Sequence, residues 1–285
     1  MARLQHTVTV VALDRARLHA FAGVFCDLIE STRSRGRDIV LEDGRTVPDI
    51  RLTEGHHLRP GARYEPVAGD TEEQESTVIR AWRRTEVLAV EQRVRSADFE
   101  VRTGLRVRSP ERPRSLEAEL RMRGPEGSGV LRRFSGRAAL DLPGWWAAAA
   151  AAPGTPEATR APATARVKHW LGDARLRLRP RPAGPDQWSV EVTLVLRGRW
   201  LLRPVAAVAL LLATVPLRRG FRSSVEQAAT QWNETVGRLL AHDLEDIRAE
   251  LTDSLVRGPD APDSRAPGSV PPAGTGDAAP AETAD

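Results

Sequence analysis

The chain has 285 residues, 41% of them hydrophobic and 28% charged, with 22 Gly, 21 Pro, 7 Trp and a single cysteine. That composition excludes a collagen-like, disulfide-built or wholly disordered chain and leaves enough apolar material for a core. There are 42 basic and 38 acidic groups, a formal charge of +4; Lys168 is the sole lysine, a usage that reads as coding bias. Acidic residues are interleaved with the arginines, whereas a nucleic-acid footprint needs a clustered positive face that displaces counterions, so no nucleic-acid partner is expected.

Cys26 has no partner in the chain, which removes an internal disulfide and a cysteine-based zinc site. The apolar stretch from Val8 to Leu13 is too short for a signal h-region and runs at once into Asp14, Arg15 and Arg17. The expected location is therefore cytoplasmic.

Thr7 to Leu13 is β-branched and reads as a strand. Asp14 then caps a helix whose stripe is Leu18, Phe21, Ala22, Phe25, Leu28 and Ile29, with Cys26 a small side chain beside it. Ser34 to Gly55 is polar and Gly-bearing and gives no clear element. His56 and His57 are adjacent, so an extended backbone sends them to opposite faces, and no third ligand stands at a recognisable spacing. An exposed loop without a metal is expected there.

Strands follow. Val78 to Trp82 and Val87 to Val94 are candidates, and the alternation is clearest where Phe99, Val101, Thr103, Leu105 and Val107 alternate with charged residues. Leu116, Ala118, Leu120 and Met122 repeat the rhythm, as do Ala174, Leu176 and Leu178, and then Val190, Val192, Leu194 and Leu196. Short breaker-rich turns such as Ser109-Pro-Glu-Arg-Pro113 leave no room for crossover helices, so the sheet should be antiparallel with one dry and one charged face. The Ala/Pro-rich stretch near 147–163 reads as a flexible surface insertion, its start anchored by Trp145 and Trp146.

Pro204 to Leu217 holds 14 uncharged residues in a row. As a helix it would reach roughly 21 Å, short of the roughly 30 Å hydrocarbon core, so it should not span a bilayer. Two readings stand: a buried helix or lid, or a membrane-dipping segment in which Leu210, Leu211 and Leu212 enter the interface while Arg218 and Arg219 meet headgroups. Ser223 and Ser224 with Glu226 and Gln227 then open a long last helix with the stripe Val225, Ala229, Trp232, Val236, Leu240, Leu244, Ile247 and Leu251. Residues 258–285 hold six Pro, four Gly, five acidic groups and one Arg, and read as a disordered tail. Without them the body, 1–257, has 41 bases against 33 acids, a charge of +8.

Strand, helix, antiparallel run and long final helix, in that order, resemble the helix-grip fold of the START-like (SRPBCC, Bet v 1-like, polyketide cyclase-like) superfamily. Thr9 to Leu18, Leu58 to Tyr64 and Trp188 to Arg199 are the pieces that look most similar. The resemblance implies an α+β fold, a curved antiparallel sheet wrapped around a long C-terminal helix, with an apolar cavity between them. It implies binding or carriage of a hydrophobic small molecule, lipid-like or polyketide-like, and the membrane-dipping reading of 204–217 adds the expectation of a peripheral place at the inner face of a membrane. Tyr64, Trp82, Phe99, Val101, Leu120, Val192, Leu194 and Trp232 are the candidate lining. A cyclase or aromatase-like enzyme, with Tyr64, Arg133 or His169 as polar groups in the pocket, and a ligand-free membrane-peripheral scaffold are the alternatives. No catalytic motif is present and no cofactor is expected.

Overall fold

A computed structural model describes residues 1–67, 74–124, 133–152, 154–198 and 214–257. The elements are β1 (Ala2–Val11), α1 (Arg15–Ser31), β2 (Arg33–Arg35), β3 (Asp38–Val40), β4 (Thr46–Glu54), β5 (Arg63–Pro66), β6 (Gln74–Arg83), β7 (Val87–Arg95), β8 (Glu100–Arg108) and β9 (Ser115–Arg123). They continue with β10 (Phe134–Asp141), α2 (Leu142–Ala150), α3 (Pro156–Thr159), β11 (Ala163–His169), β12 (Gly172–Gly184), β13 (Gln187–Gly198), α4 (Thr214–Ala241) and α5 (Leu244–Arg257).

All the pairings are antiparallel and join one sheet of 13 strands among the described residues, in the order β1-β13-β12-β11-β10-β9-β8-β7-β6-β5-β4-β3-β2. Every neighbour is a sequence neighbour except β1, which pairs with the last strand. Paired residues share a face, so the register Leu4↔Leu194↔Leu176↔Ala165↔Ala138↔Ala118↔Leu105↔Val90↔Ile79 draws one apolar row across nine strands. The opposite face carries the arginines and glutamates.

The sheet curves toward its apolar face. Ten inter-strand steps of about 4.8 Å would put β1 and β4 roughly 48 Å apart in a flat sheet. Val236 of α4 is buried with Val10 of β1, while Arg248 of α5 pairs with Glu42 and Arg45 pairs with Asp253, both beside β4. The 12 residues from Val236 to Arg248 rise about 18 Å if helical, so only a bent sheet lets the two helices reach both ends. Among the described residues the sheet is not closed into a barrel.

α1 starts on the Asp14 cap, whose side chain accepts from the Arg17 amide at 2.8 Å. Its N-terminal end locks α4, since Arg17 Nη2 donates to Leu239 O at 2.7 Å and also to His242 O. Farther along, Arg84 gathers Asp27 (2.6 Å), Glu30 (3.3 Å) and Glu111 (3.2 Å), tying α1 to the turns after β6 and β8. Ala22, Cys26 and Leu28 are its buried residues, and burial pushes the Cys26 thiol pKa up. Phe25 is exposed, so the buried stripe is rotated toward Cys26.

Three elements differ from the sequence expectation. The Ala-rich stretch opens as helix α2, capped by Asp141 with Pro143 in the first turn, because Trp145 packs edge-on against Trp188 and Trp146 donates to Leu13 O at 3.0 Å. Ser34 to Gly55 contains β2, β3 and β4, too short or too interrupted by charge to show a period. The last helix begins at Thr214 and breaks at His242 and Asp243, where the Asp243 carboxylate accepts the Asp246 amide at 2.8 Å and starts α5. The candidate tail, 258–285, lies outside the described residues.

Candidate ligand-binding face

Two packed regions occupy the ends of the apolar face. Val10, Leu13, Ala149, Trp188, Val190, Val192 and Val236 form one, roofed by α2 and α4. Ile39, Leu52, Ala62, Tyr64 and Ile79 form the other. The main helix–sheet contacts fall on β1, β12 and β4, with α2 also reaching the end of β10. Over β8, β9 and most of β11 the apolar side chains are half-buried or exposed, and Leu105 and Val167 are each 38% accessible.

The floor of this open stretch is low because its residues are small. Ala118, Ala138 and Ala165 stand abreast, with Gly136 paired between Leu120 and Val167 in the next row. Leu105 and Leu176 bound the alanine row at its two ends. Small residues flanked by leucines make a shallow channel running across the strands. Covering roughly 300 Å² of such surface would contribute on the order of 7 kcal/mol before the costs of association.

Of the residues the sequence singled out, Val101, Leu120, Val192, Leu194, Tyr64 and Trp82 share the apolar face by register. Val101 and Leu120 lie in the open stretch, Val192 and Tyr64 are buried at opposite ends, and Trp82 is half-buried with its indole N–H donating to Glu30 at 2.9 Å. Phe99 sits in the turn before β8, where its carbonyl accepts the Ser96 amide at 2.9 Å. Trp232 stands apart, at the free edge of β1, donating to Val11 O at 2.9 Å. Arg133 is exposed, and His169 is half-buried with its ring 6.0 Å from that of Trp170. Leu210, Leu211 and Leu212 lie outside the described residues, while Arg218 and Arg219 are exposed in the first turns of α4.

Sequence reasoning missed two polar constellations. His57 is no loose loop residue: its Nδ1 is 2.9 Å from Tyr64 Oη and its Nε2 is 2.8 Å from Thr32 Oγ1. Tyr64 Oη accepts the Leu58 amide at 2.9 Å and Thr32 donates to Ile29 O at 2.6 Å. Those ends fix the proton order, Tyr64 donating to Nδ1 and Nε2–H donating to Thr32, which requires the neutral imidazole. Burial lowers the His57 pKa and raises that of Tyr64, in keeping with that order. At the opposite end His6 Nε2 lies 3.3 Å from Glu226, which also accepts from Arg222 at 2.8 Å. The Arg222 guanidinium and, to a lesser degree, His6 lower the Glu226 pKa.

Among the described residues no group of three metal-ligating side chains gathers, and no helix is long and apolar enough to cross a membrane. No protein-family model matches the chain, and no curated protein matches it. Among solved structures, the crystal structure of the di-domain ARO/CYC StfQ from the steffimycin biosynthetic pathway aligns with 88% of this chain and 100% of its own, at 11% identity and a TM-score of 0.22. So low a score does not establish a common fold, and no family assignment follows from it.

Proposed function

We propose that the protein binds a hydrophobic small molecule, lipid-like or polyketide-like, against the open middle of its curved apolar face. One observation carries the reading: the apolar row runs without interruption across nine strands, yet over β8, β9 and most of β11 its side chains are half-buried or exposed. Apolar surface left open in a concave setting is characteristic of ligand grooves. Strand, helix, antiparallel run and final helix, in that chain order, are the elements on which the START-like resemblance rests. Exposed Arg218 and Arg219 would favour exchange of the ligand at an anionic membrane surface.

Titration of the full chain with an apolar fluorescent probe, N-phenyl-1-naphthylamine, tests this. Micromolar saturable binding is expected, weakened at least tenfold by Leu105→Glu, a change at an already accessible position that spares the fold. Absence of saturable binding, or equal binding by the variant, would refute the proposal.

A further inference from the structure

On the polar face of the same central strands, opposite the apolar channel, three arginines stand abreast. Arg137 on β10 is directly paired with Arg166 on β11, and Arg166 with Arg175 on β12. Like charges at directly opposed positions repel, so such a row persists only where anions offset it. The protein supplies part of that offset. Arg137 meets Glu119 at 3.0 Å and Arg166 meets Asp173 at 3.0 Å, while Arg175 meets no carboxylate among the described residues. The Nε–H groups of Arg166 and Arg175 are buried and have no acceptor from the protein among those residues.

The row borders a hollow of about 480 Å³ over β9 to β12. Three consecutive residues of each strand line it, and by register the outer two of each, among them Arg137, Arg166, Arg175 and Arg177, belong to the polar face. Its charged members are Arg137, Arg166, Arg175, Arg177, Glu117 and Glu119, a net charge of +2. Both glutamates are also drawn outward, Glu117 by Arg108 at 3.7 Å and Glu119 by Arg121 at 3.5 Å. Guanidinium forks on adjacent strands, with donors still unfilled, match the several oxygens and double charge of a phosphoryl group.

We infer that this hollow is a phosphate-binding site, with Arg175 as its least compensated cation and Arg137, Arg166 and Arg177 around it. It is distinct from the hydrophobic-ligand reading, since it rests on the polar-face arginines and not on the apolar side chains. The phosphate could belong to a free small molecule or to a lipid headgroup, and two arms of one experiment separate these. Calorimetric titration of the full chain with inorganic phosphate reads the first. Co-sedimentation with phosphatidylcholine vesicles, with or without phosphatidic acid, reads the second. Wild type should bind in at least one arm, and Arg175→Gln should weaken that binding at least fivefold. Arg181→Gln, which removes a partner of Glu191 outside the hollow, should leave it unchanged.

Phosphate should raise the Tm of wild type and not that of Arg175→Gln, whose Tm without phosphate should equal or exceed wild type because a repulsion is relieved. No binding in either arm, equal binding by Arg175→Gln, or a lowered ligand-free Tm in that variant would overturn the assignment.

Discussion

The Val11 amide donates to the Asn233 side-chain oxygen at 2.8 Å, joining residues 222 positions apart. β1 is an edge strand, and a helix takes the place of its missing neighbour: Trp232 donates to Val11 O at 2.9 Å and Asn233 Nδ2 to Thr9 O at 3.4 Å. An edge left open invites pairing with another chain. Asn233→Ala should cost about 1–3 kcal/mol by leaving the Val11 amide without its acceptor. Trp232→Phe should cost about 1 kcal/mol, since the indole is 39% accessible and loses one bond. Urea denaturation reads both, and Asn233→Ala should also aggregate sooner on heating.

Protonation of His57 would break the Tyr64 bond, because Nδ1 could no longer accept. Its pKa is lowered by burial from the ordinary 6.5, so the native protein holds the neutral ring more firmly than the unfolded chain does. The His57 contribution is therefore complete above about pH 6.5 and is lost as pH falls below it toward the folded-state pKa. His19, its pKa lowered by burial and by Arg112 and Arg15, acts in the same direction. Comparing wild type with His57→Gln from pH 7.5 to 5 isolates His57, and the variant should show the smaller decline. Tyr64→Phe should lose about 1–3 kcal/mol at pH 7.5, since Leu58 N–H and His57 Nδ1 both lose their partner.

Helix α2 depends on a glycine for a reason of space. A Cβ on Gly144 would lie 2.5 Å from Asp141 Oδ2, displacing the carboxylate that caps the helix and pairs with Arg160. Gly144→Ala should therefore destabilise the protein by about 1–2 kcal/mol despite the better helix propensity of alanine. Thermal unfolding followed by tryptophan fluorescence should show it, because Trp145 and Trp146 lie within the helix.

What could be read in advance follows from where periodicity is strong. β8, β9, β12 and β13 alternate over eight or more residues with one face apolar, and β6 and β7 nearly so, so their existence and antiparallel sense were legible. The Asp14 cap was legible for the same local reason. β10 and β11 were not, because Gly136, Ala138 and Ala165 carry too little hydrophobicity to mark a face, and those same residues make the channel shallow. The helix break at Asp243 was hidden by a stripe that runs straight through it, and Leu240 on that stripe is in fact exposed. The links among His57, Tyr64 and Thr32 join three segments, which spacing along the chain does not encode.

Native mass spectrometry of the full chain purified from its own host tests the central claim most directly. The account predicts a discrete adduct of a hydrophobic molecule on the wild-type protein, extractable into organic solvent, and its loss in the Leu105→Glu, Val167→Glu double variant. A bare protein mass that stays bare after incubation with a lipid extract of the host, or an adduct that the double variant retains, would contradict it.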